Sequence, residues 1–314
     1  MTARLIMKMT VASVAHDANG VAIYTLRHPW RQRLAEPQPG AHVDIRIPDG
    51  KVRQYSLCGD PDDAALYRIA VKREDGGRGV SRWIHDNFRV GETALVSTPR
   101  NNFPLAAGAA HHVLIAGGIG VTPFIAMARS LARRGRDFTL HYCARSSQAP
   151  FLGELRDICG DRLVTHFSDV AGSRFDAVET LRDAAPGRHV YCCGPQALTD
   201  AVRSATAHWP EDHVHFEVFR PTLDQNFNPE PFDVVIASTG QIIRVPADKS
   251  ALDAVRANGF ALPSSCELGV CGACACNYSD GIVIHRDSVL KVPERQDKMM
   301  LCVSRARARV TLSL

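Results

Sequence analysis

Cysteines are concentrated in one short stretch near the C-terminal end of this chain. Three of them follow the spacing C-x4-C-x2-C and a fourth lies far downstream: Cys266, Cys271, Cys274 and Cys302. This spacing is typical of plant-type proteins that hold a [2Fe–2S] cluster through four thiolates. Gly269 and Gly272 allow backbone conformations closed to other residues and bring N–H groups near the sulfurs. The pattern therefore predicts a [2Fe–2S] site with these four cysteines as metal ligands.

A structural zinc site is the main alternative for these cysteines. Zinc sites favour two separated C-x2-C pairs arranged as a tetrahedron, whereas the downstream half of this pattern is Cys302 alone. Disulfides are rare in cytosolic proteins, which weakens a disulfide interpretation of the ten cysteines. The pattern favours iron over zinc. Cys276 fits no ligand position and is predicted to be a small buried residue.

Length and charge restrict the classes of protein that fit the whole chain. A chain of 314 residues suggests two to three domains. The net charge of +4, with both signs scattered, gives no electrostatic footprint for nucleic acid or an anionic membrane. The N-terminal residues lack the apolar core of a signal peptide, and no apolar run is long enough to span a bilayer. We therefore predict a cytoplasmic protein without a nucleic-acid or membrane partner.

The pattern of apolar residues changes along the chain and predicts three domains with a linker. Short alternating strands separated by turn residues predict an antiparallel β-barrel over residues 1–105. Apolar strands alternating with helical segments predict a doubly wound α/β domain over residues 106–222. Residues 223–231 are polar and end on prolines, as in a linker. Residues 232–314 form the predicted third domain, which carries the cysteine pattern.

Two segments of the predicted barrel carry residues suited to a flavin nucleotide. In Arg53-Gln-Tyr55-Ser56, the arginine can bind a phosphate, the tyrosine can lie against a ring, and the serine can hydrogen-bond the ring edge. Gly79-Val80-Ser81 precedes a predicted helix, where free backbone N–H groups bind phosphate. A solvated arginine and a serine helix cap are the ordinary alternatives for each segment taken alone. The two segments together favour a ring ligand with a phosphate.

A glycine-rich turn opens the predicted α/β domain. It reads Ala116-Gly-Gly118-Ile-Gly120-Val-Thr122-Pro123, after an apolar strand and before a helix. Small residues here let a pyrophosphate approach the backbone. The turn is not the usual G-x-G-x-x-G, and a simple tight turn stays an alternative. Cys193-Gly194 ends another strand, where parallel sheets bind ligands, and a packed thiol is the alternative for Cys193.

These motifs and their order resemble the phthalate dioxygenase reductase family, which includes vanillate demethylase reductase. The likeness covers essentially the whole chain and is carried by the cysteine loop and by Arg53-Gln-Tyr-Ser-Leu, Gly117-Gly-Ile-Gly-Val-Thr-Pro and Val190-Tyr-Cys-Cys-Gly-Pro-Gln-Ala-Leu. It implies FMN in a ferredoxin-reductase-type barrel, NADH in the second domain, and an α+β plant-type ferredoxin domain at the C-terminus. The choice of FMN over FAD rests on this resemblance, and NADH is preferred to NADPH.

The resemblance also implies roles for individual residues. Flavin contacts would fall on three short segments: Arg53, Tyr55 and Ser56; Ala70, Val71 and Lys72; Gly79, Val80 and Ser81. Nucleotide contacts would fall on the two strand-end turns: Gly118, Gly120, Cys193 and Gly194. Thr122 would lie near flavin and nicotinamide, and Phe219 beside the flavin ring. Because hydride transfer needs no general acid or base, no catalytic residue is predicted.

The implied cofactors form an electron-transfer chain. Hydride from NADH would reduce the flavin, and single electrons would then pass to the cluster and on to a Rieske-type terminal oxygenase with an aromatic substrate. That partner is implied by the resemblance alone. Because residues 232–314 contain ten Lys or Arg and eight Asp or Glu, we expect a small mixed-charge contact with it. Two alternatives stay open, a flavin-free iron–sulfur carrier or sensor and a flavin reductase with a secondary cluster.

Overall fold

The computed structural model describes residues 5–77, 79–219 and 227–314. The chain divides into two compact units: unit 1 ends at Glu217 and unit 2 begins at Val218. The domain bounds expected from the sequence stay a prediction, and residues 223–226 of the predicted linker lie outside the described residues. No helix within the described ranges is long and apolar enough to cross a membrane.

The first half of unit 1 is an antiparallel sheet of six strands. Its elements are β1 (Ile6–Asp17), β2 (Val21–Arg27), β3 (His42–Arg46), β4 (Val52–Ser56), β5 (Leu66–Lys72), α1 (Val80–Asn87) and β6 (Thr93–Ser97). The strand order is β4-β3-β6-β1-β2-β5. The two edges of the sheet meet, because Leu57 bridges Ile69 and the Cys58 N–H donates to the Arg68 carbonyl at 2.9 Å. The sheet therefore closes into the predicted barrel.

Alternating apolar residues fill the interior of this barrel. Met9, Val43 and Val96 come from three different strands and are fully buried in one core. Helix α1 adds Val80 and Ile84 to the same core. Burying a side chain of this size contributes about 1.5–3 kcal/mol, so α1 is held firmly against the strands.

The second half of unit 1 is a parallel sheet of five strands between two pairs of helices. Its elements are β7 (His111–Gly117), α2 (Thr122–Arg133), β8 (Asp137–Ala144), α3 (Leu152–Cys159), β9 (Leu163–Phe167), α4 (Ala177–Thr180), β10 (Arg188–Cys193), α5 (Gln196–Ala205) and β11 (Val214–Glu217). The strand order is β11-β10-β7-β8-β9, so the order reverses beside β7. Leu114 packs with α2 and α3, whereas Val113 and Ile115 pack with α4 and α5. This is the predicted doubly wound α/β fold.

A partly buried ion-pair group joins the barrel to the α/β half of unit 1. Glu154 on α3 accepts hydrogen bonds from Arg68 of β5 at 2.6 and 2.8 Å and from Arg129 of α2 at 2.7 Å. Burial raises the pKa of Glu154, but the two arginines outweigh it and leave this pKa below its usual value. Because losing one partner would leave a charge uncompensated, the group favours one orientation of barrel and parallel sheet.

The described residues of unit 2 form a mixed five-stranded sheet and one α-helix. Its elements are β12 (Phe232–Ile236), β13 (Ile242–Val245), α6 (Ala251–Ala257), β14 (Ala275–Ile284), β15 (Lys298–Met300) and β16 (Arg305–Leu312). The strand order is β13-β12-β16-β14-β15, with β12 and β16 parallel. Leu252 and Val255 of α6 pack into the core with Phe232 and Val234. The arrangement confirms the predicted α+β domain.

Candidate functional site

The four predicted metal ligands lie together in unit 2. Three belong to the loop between α6 and β14 and the fourth lies between β15 and β16. All are buried: Cys266, Cys271, Cys274 and Cys302. The Leu301 N–H donates to the Cys274 carbonyl at 3.2 Å, and the Leu252 N–H donates to the Leu301 carbonyl at 3.0 Å. These bonds tie the downstream cysteine to the ligand loop and to α6.

The four thiols are arranged in two pairs. Cys266 lies beside Cys271, and Cys274 lies beside Cys302, so that each thiol acts on the pKa of its neighbour. This interaction lowers the pKa of the first cysteine of each pair and raises the pKa of the second. A [2Fe–2S] cluster needs two thiolates on each iron, with bridging sulfides completing the coordination. The pairing fits that requirement.

Backbone N–H groups of the ligand loop point at the sulfurs. The Leu268 N–H donates to Cys266 Sγ at 3.3 Å, and the Ala273 N–H donates to Cys271 Sγ at 3.4 Å. Hydrogen bonds of this kind stabilise thiolates and tune the reduction potential of an iron–sulfur cluster. The loop therefore supplies both the ligands and part of their electrostatic environment.

Left-handed backbone conformations let the loop turn around the thiols. Gly269 and Gly272 have φ angles of +74° and +73°, as the sequence predicted. Glu267 has a φ of +53°, a conformation that costs a non-glycine residue free energy. Its carboxylate accepts from Arg256 at 3.0 Å and from the Ser264 hydroxyl at 2.7 Å. Arg256 of α6 thereby fixes the strained residue beside the first ligand.

The donor set fits a two-iron cluster better than a single zinc ion. A structural zinc needs its four ligands around one centre, whereas a two-iron cluster needs two pairs. Cys276 is 8% exposed, and its thiol donates to the Asn277 carbonyl at 3.4 Å. It is the buried residue outside the ligand set that the sequence predicted.

In unit 1, three predicted flavin contacts lie at the end of β4. Tyr55 is half-buried, and burial raises its pKa. The Arg53 guanidinium donates to the Val52 carbonyl at 2.7 Å. Ser56 is buried, and its hydroxyl donates to Glu217 Oε2 at 3.3 Å. One strand thus offers a guanidinium, an aromatic ring and a hydroxyl, the groups that the sequence assigned to a flavin.

The second predicted flavin segment lies at the end of β5. Ala70 and Val71 are buried. His85 of α1 hydrogen-bonds the Val71 carbonyl at 2.8 Å, which attaches α1 to this strand. The Lys72 ammonium lies 3.3 Å from the Glu74 carboxylate. The backbone of this strand end is therefore fixed, and its cationic side chain is already paired.

The third predicted flavin segment begins α1. Gly79 precedes the helix with a φ of +92°, and as a glycine this N-cap residue offers no side chain to the first N–H groups. Val80 is buried, and the Ser81 hydroxyl accepts from the Glu74 N–H at 3.2 Å. Helix α1 begins at Val80, so Ser81 lies inside its first turn, whereas the sequence analysis placed Val80 and Ser81 before the helix. Uncapped N–H groups at a helix N-terminus are suited to a phosphate.

The two predicted nucleotide turns touch at the carboxyl end of the parallel sheet. A Cβ added to Gly117 would lie 2.5 Å from Pro195 Cδ, and a Cβ added to Gly120 would lie 2.4 Å from the Cys193 carbonyl oxygen. Only glycine permits this approach. The turns follow β7 and β10, where the strand order reverses, and open α/β sheets bind ligands at such a point.

The remaining predicted nucleotide contacts lie beside this crevice. A Cβ added to Gly194 would lie 2.9 Å from Gly117 Cα, whereas Gly118, with a φ of +54°, faces open space. Thr122 begins α2 and is 3% exposed. Its hydroxyl donates to the Ile119 carbonyl at 3.1 Å. The Thr122 hydroxyl therefore already donates its hydrogen bond within the turn, so toward a ligand it can act only as an acceptor.

Glu217 is a site residue that the sequence analysis missed. It ends β11 beside Cys193 of β10 and accepts the hydroxyl of Ser56. Burial raises the pKa of Glu217 to about 8, and the hydrogen bond from Ser56 acts in the opposite sense. Its position at the end of a parallel strand, just before the predicted contact Phe219, was the available signal. At pH 7 the Glu217 carboxyl group is therefore mostly protonated, and it links the barrel to the nucleotide crevice.

We expect Glu217→Gln to remove a pH dependence of stability. The pKa of Glu217 rises from its usual 4.5 to about 8, so the folded protein holds this proton more tightly than the unfolded chain. Stability therefore decreases as pH rises through that interval. From roughly pH 5 to roughly pH 9, the melting temperature of the wild type should fall by a few degrees relative to the variant. Melting curves of the cofactor-loaded proteins test this, with exposed Glu211→Gln as the control. A constant difference at both pH values would contradict it.

The last predicted flavin contact, Phe219, belongs to unit 2 and is 39% exposed. Its place beside the flavin ring stays a prediction. The remaining flavin contacts named from the sequence all belong to unit 1.

Comparison with known proteins supports the same reading of both units. The model of the 2Fe-2S iron-sulfur cluster binding domain family matches residues 234–307. The reductase subunit of tert-butanol monooxygenase / tert-amyl alcohol desaturase from Aquincola tertiaricarbonis is 40% identical over 96% of this chain and 94% of its own length.

At least three solved structures match nearly the whole chain, and two of them are compared with it. A structure of phthalate dioxygenase reductase, described as modular and transferring electrons from pyridine nucleotides to [2Fe–2S], has a TM-score of 0.75 and 38% identity over 98% of both chains. An intact type IV self-sufficient cytochrome P450 monooxygenase has a TM-score of 0.88 and 40% identity over 98% of this chain, which spans 41% of that longer protein. These matches confirm the resemblance and the three-part fold predicted from the sequence.

Proposed function

The chain belongs to the family of phthalate dioxygenase reductase and related oxygenase reductases, and we propose that it delivers electrons from NADH to a Rieske-type terminal oxygenase with an aromatic substrate. Like its family, it is a reductase component that carries electrons through a flavin and a [2Fe–2S] cluster. The observation that carries the proposal is the paired, buried arrangement of four thiols on the same chain as a closed barrel and a nucleotide crevice: Cys266, Cys271, Cys274 and Cys302.

FMN would be held by the three barrel segments described above. The uncapped N-terminus of α1 after Gly79 and the guanidinium of Arg53 would bind its phosphate. Tyr55 would pack against the ring, and Ser56 would hydrogen-bond the ring edge. When bound, a flavin accepts hydride and releases electrons singly, which couples a two-electron donor to a one-electron cluster. Ala70, Val71, Lys72, Val80 and Ser81 would provide the remaining contacts.

NADH would bind at the crevice between the turns after β7 and β10. Gly118, Gly120 and Gly194 would let the pyrophosphate approach the backbone. Ser56, Cys193 and Glu217 meet where the crevice reaches the barrel, so they would position the nicotinamide. Thr122 would lie near the flavin and the nicotinamide, and Phe219 would lie beside the flavin ring. The protein's own contribution is placement and exclusion of water, since the redox chemistry belongs to the cofactors.

The proposed electron path is tested by visible spectroscopy of the anaerobically purified protein, titrated separately with NADH and with NADPH. We expect flavin and cluster absorption together, and both should bleach with NADH at stoichiometric amounts. Cluster absorption without flavin would replace the proposal with an iron–sulfur carrier or sensor. A flavin that bleaches while the cluster stays oxidised would favour a flavin reductase with a secondary cluster.

A heme-containing oxygenase is the second candidate partner. The observation in its favour is the match between this chain and part of a self-sufficient cytochrome P450 monooxygenase, at 40% identity. The likeness to phthalate dioxygenase reductase over 98% of both chains supports the Rieske type instead. Mixing the NADH-reduced protein with either a purified Rieske oxygenase or a purified cytochrome P450 distinguishes the two candidate partners. Faster cluster reoxidation by the P450 would overturn the proposed partner.

A further inference from the structure

A buried carboxylate lies behind the ligand loop and has no part in the site described so far. The Asp287 side chain has 0% exposed surface. Its Oδ2 accepts the N–H of Val289 at 3.2 Å and of Leu290 at 2.8 Å. Its Oδ1 is buried without a hydrogen-bond partner among the described residues. His285 Nδ1 is 3.7 Å from Oδ1 and Arg295 Nη2 is 3.8 Å from Oδ2, so Arg295 is the cation beside the carboxylate, at ion-pair rather than hydrogen-bond distance.

The Asp287 segment touches the ligand loop at Gly269. The Ser288 N–H donates to the Gly269 carbonyl at 3.1 Å. A Cβ added to Gly269 would lie 3.3 Å from Asp287 Cα, so the two backbones are in direct contact. A Cβ added to Gly269 would also lie 2.6 Å from Cγ2 of Val303, the residue that follows Cys302. The segment that Asp287 organises therefore holds a loop residue that packs against the segment of the fourth ligand.

A second set of contacts fixes the same segment from its far end. Arg295 Nη2 donates to the Asp287 carbonyl at 3.0 Å, and His285 Nε2 lies 3.1 Å from the Arg295 carbonyl. The backbone of Asp287 is thus held by Arg295, and its carboxylate is held by the N–H groups of Val289 and Leu290. A fixed charge in a water-poor interior acts more strongly on its surroundings than an exposed one.

We propose that Asp287 is a positioning residue for the [2Fe–2S] cluster: it fixes Gly269 of the ligand loop against the segment that carries Cys302, and its buried negative charge lowers the reduction potential of the cluster. Reduction adds an electron to the cluster, and a nearby negative charge opposes that addition. The proposal rests on the cluster in the proposed function but on neither NADH nor the oxygenase, because the potential is measured on the holoprotein with a chemical reductant.

The decisive variant is Asp287→Asn, which keeps the size and an acceptor oxygen but removes the charge. We expect the equilibrium constant for cluster reduction to rise about tenfold, which is about +59 mV for one electron. A redox titration followed by electron paramagnetic resonance measures this shift. The matched control is Asp297→Asn, which makes the same change at an exposed carboxylate of the same part of unit 2 and should leave the potential unchanged.

Two further variants keep the test decisive if Asp287→Asn loses its cluster. Arg295→Gln removes a positive charge beside Asp287 and should shift the potential in the opposite direction. Asp287→Ala also removes the acceptor for the N–H groups of Val289 and Leu290. In the presence of a chelator, the cluster of this variant should therefore bleach several-fold faster than the cluster of the wild type. An unchanged potential in both charge variants, or a wild-type bleaching rate in Asp287→Ala, would overturn the proposal.

Discussion

Oxygenase-coupled turnover should fall by roughly a hundredfold or more in a Cys302→Ser variant. Replacing a residue that only hydrogen-bonds a metal ligand already costs up to about a hundredfold in activity, and Cys302 is itself a predicted ligand. Cys302 pairs with Cys274, so its loss leaves one iron with a single thiolate. Reduction of ferricyanide by NADH should stay within about twofold of the wild type, since hydride transfer uses the barrel and the crevice of unit 1. Absorption spectra and both activities, measured on one preparation, give the result.

The matched control for this variant is Cys276→Ser. Cys276 is a buried cysteine of the same unit, close in sequence to the ligands, but it belongs to neither thiol pair. Its replacement should keep the cluster spectrum and oxygenase turnover. If Cys302→Ser kept full oxygenase turnover, the cluster would lie off the main electron path and the flavin reductase alternative would gain support.

The cluster ligands could be predicted because their signal is local. Three of the four occupy one loop, so spacing and thiol chemistry alone identify them. Gly269 and Gly272 were predicted for the same reason, since a loop wrapping a cluster needs positive φ angles that glycine adopts freely. Barrel and parallel sheet followed from patterns of apolar residues that repeat over short windows. Each of these inferences needs only neighbours in sequence.

Contacts between distant parts of the chain could not be predicted in this way. Glu217 meets Ser56 from the far end of unit 1, and no local pattern around either residue indicates the other. Asp287 appears in sequence as an ordinary loop acid, and its burial depends on how its segment packs against Gly269. Thr122 was placed in the right turn, but the bond from its hydroxyl to the Ile119 carbonyl depends on the exact course of that turn.

A Gly120→Ala variant should lose about a hundredfold in kcat/KM for NADH, as a displacement of about 1 Å in a binding site can cost that much. The added Cβ would lie 2.4 Å from the Cys193 carbonyl oxygen and 2.9 Å from the Gly194 nitrogen. Both are backbone atoms at the end of β10, which pairs with β7 as far as Cys193 and Ala116. The strands cannot separate without losing ladder hydrogen bonds, so the crevice itself must deform.

The control for this variant is Gly153→Ala in α3, where an added Cβ meets no atom within 4 Å and alanine favours the helix. It should keep the kcat/KM of the wild type in the NADH–ferricyanide assay. The cluster spectrum should be unchanged in both variants, because the four cysteines belong to unit 2. If Gly120→Ala kept wild-type kcat/KM, NADH would bind elsewhere than the crevice. If it lost flavin as well, the strain would extend beyond the nucleotide turn into the barrel.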